Sequence, residues 1–161
     1  CIQCYEEFLL YENKDDSKNC EGSESLKTKE DVIFHIAKIY LSLSKQEEIN
    51  NKLHYCYCAY GLFSGLKAQQ DIADNVYKIE LDYYIAYIMT KFLAEEQSDN
   101  EFRAIYNIGY EALMGAKQFY NDEKEEYSSE QSFIIDKDMY DKLYELEGIY
   151  NQYNSTLIGR R

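Results

Sequence analysis

The stretch from Asp71 to Tyr120 leaves this chain few ways to fold. Its first half carries Ile72, Val76, Ile79, Tyr83, Ala86 and Thr90 at steps of three or four residues. Leu81, Ile85, Ile88, Met89, Phe92 and Leu93 widen that stripe until most of the circumference is apolar. A helix of that kind must be covered on several sides, so it belongs inside a bundle or a stack. The polar run Glu95-Glu96-Gln97-Ser98-Asp99-Asn100 then interrupts the pattern. Ser98 followed by Glu101 reads as a capping box that opens a second helix. That helix turns Phe102, Ile105, Gly109, Ala112, Ala116 and Phe119 inward, and its three small residues let a neighbouring helix come close. The pair predicts a helical hairpin with a short polar turn.

With no proline among 161 residues, nothing forces a kink or a rigid edge turn. No strictly alternating run is flanked by Asn-Gly or Asp-Gly, so a sheet is not expected. The fold class these features predict is all-α, an antiparallel helical-hairpin stack, in a single domain over residues 1–161. A net charge of −13 argues against nucleic acid and anionic membrane as partners, since both attract basic surfaces. No apolar run reaches the length that spans a bilayer. The five cysteines are odd in number and form no secreted-type framework, which fits reduced thiols in a cytoplasmic protein. A chain that opens on Cys1 reads as a fragment or a processed product.

Taken in order, the sequence predicts six helices. Ile2, Tyr5, Phe8 and Leu9 share a face, as in the tail of a first helix ending near Tyr11. Cys1-x-x-Cys4 finds no second ligand pair at zinc spacing and no strand of the kind a redox motif follows. Polar loops, expected to be mobile, lie near residues 12–29 and 121–132. Thr28 and Asp31 approximate a cap ahead of a helix that turns Val32 or Ile33, Ile36, Ile39, Tyr40 and Leu43 inward. Ser44 with Glu47 opens the next, whose stripe is Ile49, Leu53, Cys56, Ala59 or Tyr60, and Phe63. Gly61 and Gly65, near its end, suit a close approach or a left-handed cap. The last helix, Asp138 to Tyr153, turns Met139, Leu143, Leu146, Ile149 or Tyr150, and Tyr153 inward, with a frayed tail from Ser155.

Chemistry-bearing residues are sparse. His35 and His54 stand in no recognisable catalytic pattern, and there is no glycine-rich phosphate loop and no metal constellation. Neither an enzymatic activity nor a cofactor is expected. The eighteen tyrosines suit a helical stack, where each can bury its ring and wet its hydroxyl. Asp82 is the most informative polar residue, a carboxylate between Leu81 and Tyr83 on the apolar helix. It calls for a partner: Lys38, a cation on a bound peptide, or the water of a groove wall.

Two helical families are similar in pattern. Ile33, Ile36, Ala37 and Tyr40, followed by Ile49, Leu53 and Cys56, resemble a tetratricopeptide unit. The unit does not recur after about thirty-four residues, because Lys67 to Ala73 is polar where apolar anchors would return. More of the chain resembles the fourth to ninth helices of a 14-3-3 protein. Cys1 to Leu10 is similar to the end of the fourth and Val32 to Leu43, with Ala37 and Tyr40, to the fifth. Leu81-Asp82-Tyr83 followed by Ile85 and Tyr87 resembles the Leu-Asn-Phe-Ser-Val-Phe-Tyr-Tyr run of the seventh. Gly109-Tyr110-Glu111-Ala112-Leu113 resembles a segment of the eighth, and Ser128 to Phe133 with Met139 to Tyr150 resembles the approach to the ninth and that helix itself.

The 14-3-3 resemblance implies a non-enzymatic adaptor with a concave groove for peptide segments of partner proteins, phosphorylated in the family. It places Lys38, Tyr40, Asp82, Tyr83, Ile85, Leu146 and Tyr150 on the groove wall. It also implies that homodimer contacts lie in helices outside this sequence. Four positions depart from the family. Leu41 and Ser42 stand where an Arg-Tyr pair grips phosphate, Asp82 replaces a backbone-holding Asn, and Tyr150 replaces a closing Trp. Neither Leu41 nor Ser42 can make charge-assisted bonds to a phosphate.

Overall fold

A computed structural model describes residues 29–45, 49–69, 78–96, 98–127 and 137–159. Among the described residues every regular element is an α-helix: α1 (Lys29–Leu43), α2 (Ile49–Ala68), α3 (Lys78–Glu95), α4 (Asp99–Tyr127) and α5 (Lys137–Gly159). The all-α class is therefore as expected. The first expected helix, Cys1-x-x-Cys4, Cys20, most of the 12–29 loop, Ile72 and Val76 lie outside the described residues. The chain divides after Ala68 into two compact units.

The first unit holds α1 and α2 as an antiparallel hairpin. Phe34 meets Phe63 edge-on at 5.6 Å between ring centroids, and Tyr40 stacks on Tyr55 at 6.1 Å. As numbers rise along α1 they fall along α2, which is the register of a hairpin. Glu30 and Asp31 favour the first turn of α1 by facing the positive end of its dipole. Val32, Phe34, Ile36, Ala37 and Leu41 are buried from α1, and Cys56, Ala59, Phe63 and Leu66 from α2. Two expectations fail here. Ser44 does not open α2; its hydroxyl donates backwards to the Leu41 carbonyl at 2.7 Å and closes α1 instead. Gly61 and Gly65 neither end α2 nor admit a neighbour, because the helix continues to Ala68 and a Cβ at either would meet open space.

The second unit is an up-down-up bundle of α3, α4 and α5. Between α3 and α4, Met89 faces Gly109, Asp82 faces Gly115 and Lys78 sits over the Phe119 ring, an antiparallel register. Between α4 and α5, Phe102 meets Tyr153, Tyr106 meets Tyr150, Lys117 meets Glu147 and Tyr120 meets Tyr140, again antiparallel. Tyr150 and Tyr153 reach the carbonyls of Ala86 and Thr90, so α5 runs parallel to α3. Nine of the eighteen residues of α3 are buried, as its wide apolar arc requires.

The expected hairpin turn is present, but its chemistry differs. The Ser98 amide is taken by the Glu96 carboxylate at 2.6 Å, from two residues upstream, while Glu101 stands exposed. Phe119 is not on the inward face of α4: it is 36% exposed beneath Lys78, and Tyr120 takes the core position. The acidic run after Asn121 is helical as far as Tyr127, since Glu and Lys are good helix formers and no glycine or proline breaks them. Ser155 to Gly159, expected to fray, continues α5 as helix, and Arg160 and Arg161 lie outside the described residues.

At Gly109 the three helices pack tightly together. A methyl group there would stand 2.7 Å from both Met89 Cβ and Tyr150 Cζ, and nearer still to the Tyr150 hydroxyl. The glycines therefore make opposite predictions. Gly109→Ala should destabilise the protein by about 1–3 kcal/mol through overpacking. Gly61→Ala and Gly65→Ala should each stabilise it by up to about 1 kcal/mol through helix propensity. Denaturant melts of the three variants check both signs.

Candidate functional site

On the outer side of the second unit, α4 and α5 enclose an open crevice of about 190 Å³. Helix α4 contributes Lys117, Tyr120 and Asn121; α5 contributes Tyr140, Leu143, Tyr144 and Glu147. Positions 117, 120 and 121 share one edge of α4, just as 140, 143, 144 and 147 share one edge of α5. Leu143 and Tyr120 are buried, whereas Tyr140 is 50% and Tyr144 68% exposed. The Tyr120 and Tyr140 rings lie 5.7 Å apart at 41°. Lys117 Nζ donates to Glu147 Oε1 at 2.6 Å, with both side chains about a third exposed. The crevice thus combines an aliphatic residue, three aromatic faces and one ion pair.

The residues expected on a groove wall are distributed differently. Lys38 and Tyr40 are on α1, half-buried; the Lys38 ammonium lies 5.5 Å from the centre of the Phe34 ring, and Tyr40 stacks on Tyr55. Leu41, at a phosphate-gripping position of the resemblance, is buried, and the Ser42 hydroxyl donates to the Lys38 carbonyl at 2.9 Å. Asp82 is 5% exposed, with its carboxylate against Gly115, where a Cβ would meet Oδ2 at 2.8 Å. Ile85, Leu146 and Tyr150 are buried in the core of the second unit. Tyr83 is half-buried and stacks on Tyr87 at 6.2 Å, and Lys91 sits over the Tyr87 ring at 4.5 Å. Asp82, Ile85, Leu146 and Tyr150 thus share one unit as interior residues and offer a ligand little surface.

The sequence gives none of the crevice residues a binding role, and Leu143 reads there only as a core position. The available signal was Tyr140 and Tyr144, four apart and off the Leu143, Leu146, Tyr150 stripe of their own helix. Of the cysteines, Cys56 is buried and Cys58 half-buried, both as free thiols, with Cys58 Sγ 3.8 Å from His54 Nε2. No group of three or more metal-ligating side chains occurs among the described residues, and no described helix is long and apolar enough to cross a membrane. Neither family models, curated proteins nor solved structures yield a match to this chain.

Tyr150 holds the floor of the unit. Its hydroxyl donates to the Ala86 carbonyl at 2.7 Å, and burial above all, then the nearby Tyr106 and Tyr153, pushes its pKa far above 10. Burial also raises Tyr83, Tyr84, Tyr106 and Tyr153. In the unfolded chain each would ionise near pH 10, while the fold keeps the protons longer. Their contribution to stability is whole below about pH 10 and shrinks above it, because the unfolded state then binds fewer protons. An alkaline unfolding transition should therefore accompany the late phenolate absorbance. Tyr150→Phe should move that transition to higher pH while costing about 0.5–1.5 kcal/mol at neutral pH.

Proposed function

We propose that this protein is a non-enzymatic adaptor that holds a segment of a partner polypeptide in the crevice between α4 and α5. The observation that carries this reading is the pair Tyr140 and Tyr144, half or more exposed beside the buried Tyr120 and Leu143. Tyrosine is favoured at recognition surfaces because it presents a large, stiff, amphipathic ring at little conformational cost. An open crevice of about 190 Å³ is too small for a whole peptide but suits one anchoring side chain. The 14-3-3 resemblance supports the same class of activity at a different place on the chain. Phosphate is not part of the reading, since Leu41 and Ser42 carry no charge to meet it. Cytoplasmic residence belongs to the proposal, supported by the free thiols of Cys56 and Cys58.

A second reading, a structural subunit covered by other chains, draws on the exposed Ile108, Met114, Ile149 and Ile158. Sedimentation of the isolated protein separates the two: an adaptor stays a discrete monomer or dimer, whereas a subunit deprived of its partners self-associates without limit. The direct test of the adaptor is selection from a random peptide library. Saturable binders should emerge, and the variant combining Tyr140→Ala with Tyr144→Ala should bind them at least about tenfold more weakly with unchanged helicity. A library that yields no saturable binder would remove the proposal.

A further inference from the structure

We infer that the crevice selects a cationic side chain: a lysine or arginine, flanked by apolar residues, on the partner segment. The inference rests on the adaptor reading and adds to it the chemistry of the anchor. Three tyrosine rings line the crevice, and the negative face of an aromatic ring attracts an ammonium or guanidinium group. Elsewhere the molecule already makes this contact. Lys78 lies 5.1 Å from the centre of Phe119, Lys91 4.5 Å from Tyr87 and Lys38 5.5 Å from Phe34. Leu143 gives the aliphatic stem of such a side chain an apolar surface to lie on.

Charge favours the same occupant. The exposed carboxylates Asp122 and Asp141 directly follow the crevice residues Asn121 and Tyr140, Asp138 and Glu145 lie nearer Tyr84 and Tyr83 of α3, and the whole chain carries −13. Asp138 is in part offset by Lys142, with which it pairs. Among the described lining residues the one cation, Lys117, is held by Glu147 at 2.6 Å, so the pair presents little net charge to a visitor. An acidic or phosphorylated segment would meet repulsion from the chain's net negative charge; a basic one is steered inward.

The probe is a set of three synthetic hexapeptides, Leu-Lys-Leu-Arg-Leu-Lys and its counterparts with every basic residue replaced by Gln or by Glu. Binding is followed by chemical-shift changes of the tyrosine rings in the intact protein. The basic peptide is expected to bind at least about tenfold more tightly than the Gln peptide, with no binding of the Glu peptide. Tyr140→Ala with Tyr144→Ala should weaken the basic peptide about fivefold or more. Lys117→Met, which removes the competing ammonium and keeps the stem, should tighten it. Equal binding of basic and neutral peptides at the crevice would overturn the inference and leave the adaptor reading intact. Basic-peptide binding that ignores the tyrosine substitutions would overturn it too, as attraction to a diffuse negative surface. Failure of all three peptides, with no binder from the random library either, would sink the adaptor reading itself.

Discussion

The second unit depends on one close crossing. Tyr150 of α5 hydrogen-bonds the Ala86 carbonyl of α3 by passing over α4 at Gly109, where any Cβ would run into its hydroxyl. Met89 closes on the same glycine from α3. Three helices are thus tied at a point where apolar contact, a buried hydrogen bond and a missing methyl coincide. The aromatic contacts of Phe102 with Tyr153 and Tyr120 with Tyr140 extend the same register towards either end of the α4–α5 pair. The crevice shares that register, in which Lys117 of α4 meets Glu147 of α5, three residues from Tyr150.

Much of this architecture is legible in the residues. The width of the α3 stripe demanded neighbours on several sides, and the small residues of α4 announced where one would come close. What escaped was mostly local polar chemistry. A serine that could cap the next helix closes the previous one at Ser44, because a hydroxyl can donate to a carbonyl as readily as it accepts from an amide. Glu96 displaces Glu101 at the α4 cap for a similar reason: either carboxylate is within reach, and sequence spacing does not rank them. Gly61 and Gly65 carried the usual sign of a helix end, yet α2 continues through both.

The candidate site was the least legible part. Ile85, Leu146 and Tyr150 were drawn to a groove wall by the order of helices in a resemblance, while burial makes them interior residues. The crevice residues looked like ordinary amphipathic tyrosines among eighteen. Periodicity says which arc of a helix is covered; it does not say where two uncovered edges converge. That convergence follows from the α4–α5 register, which side chains on both helices set together.

An odd number of antiparallel rods has a polarity that an even number lacks. Helix α3 begins at Lys78, which lies over Phe119 towards the crevice end, and α5 ends at Gly159 at the other pole. From Tyr140 to Gly159 the separation is about 30 Å along the axis of α5. The crevice thus sits at one pole of the unit, a bundle's length from the pole where α5 ends.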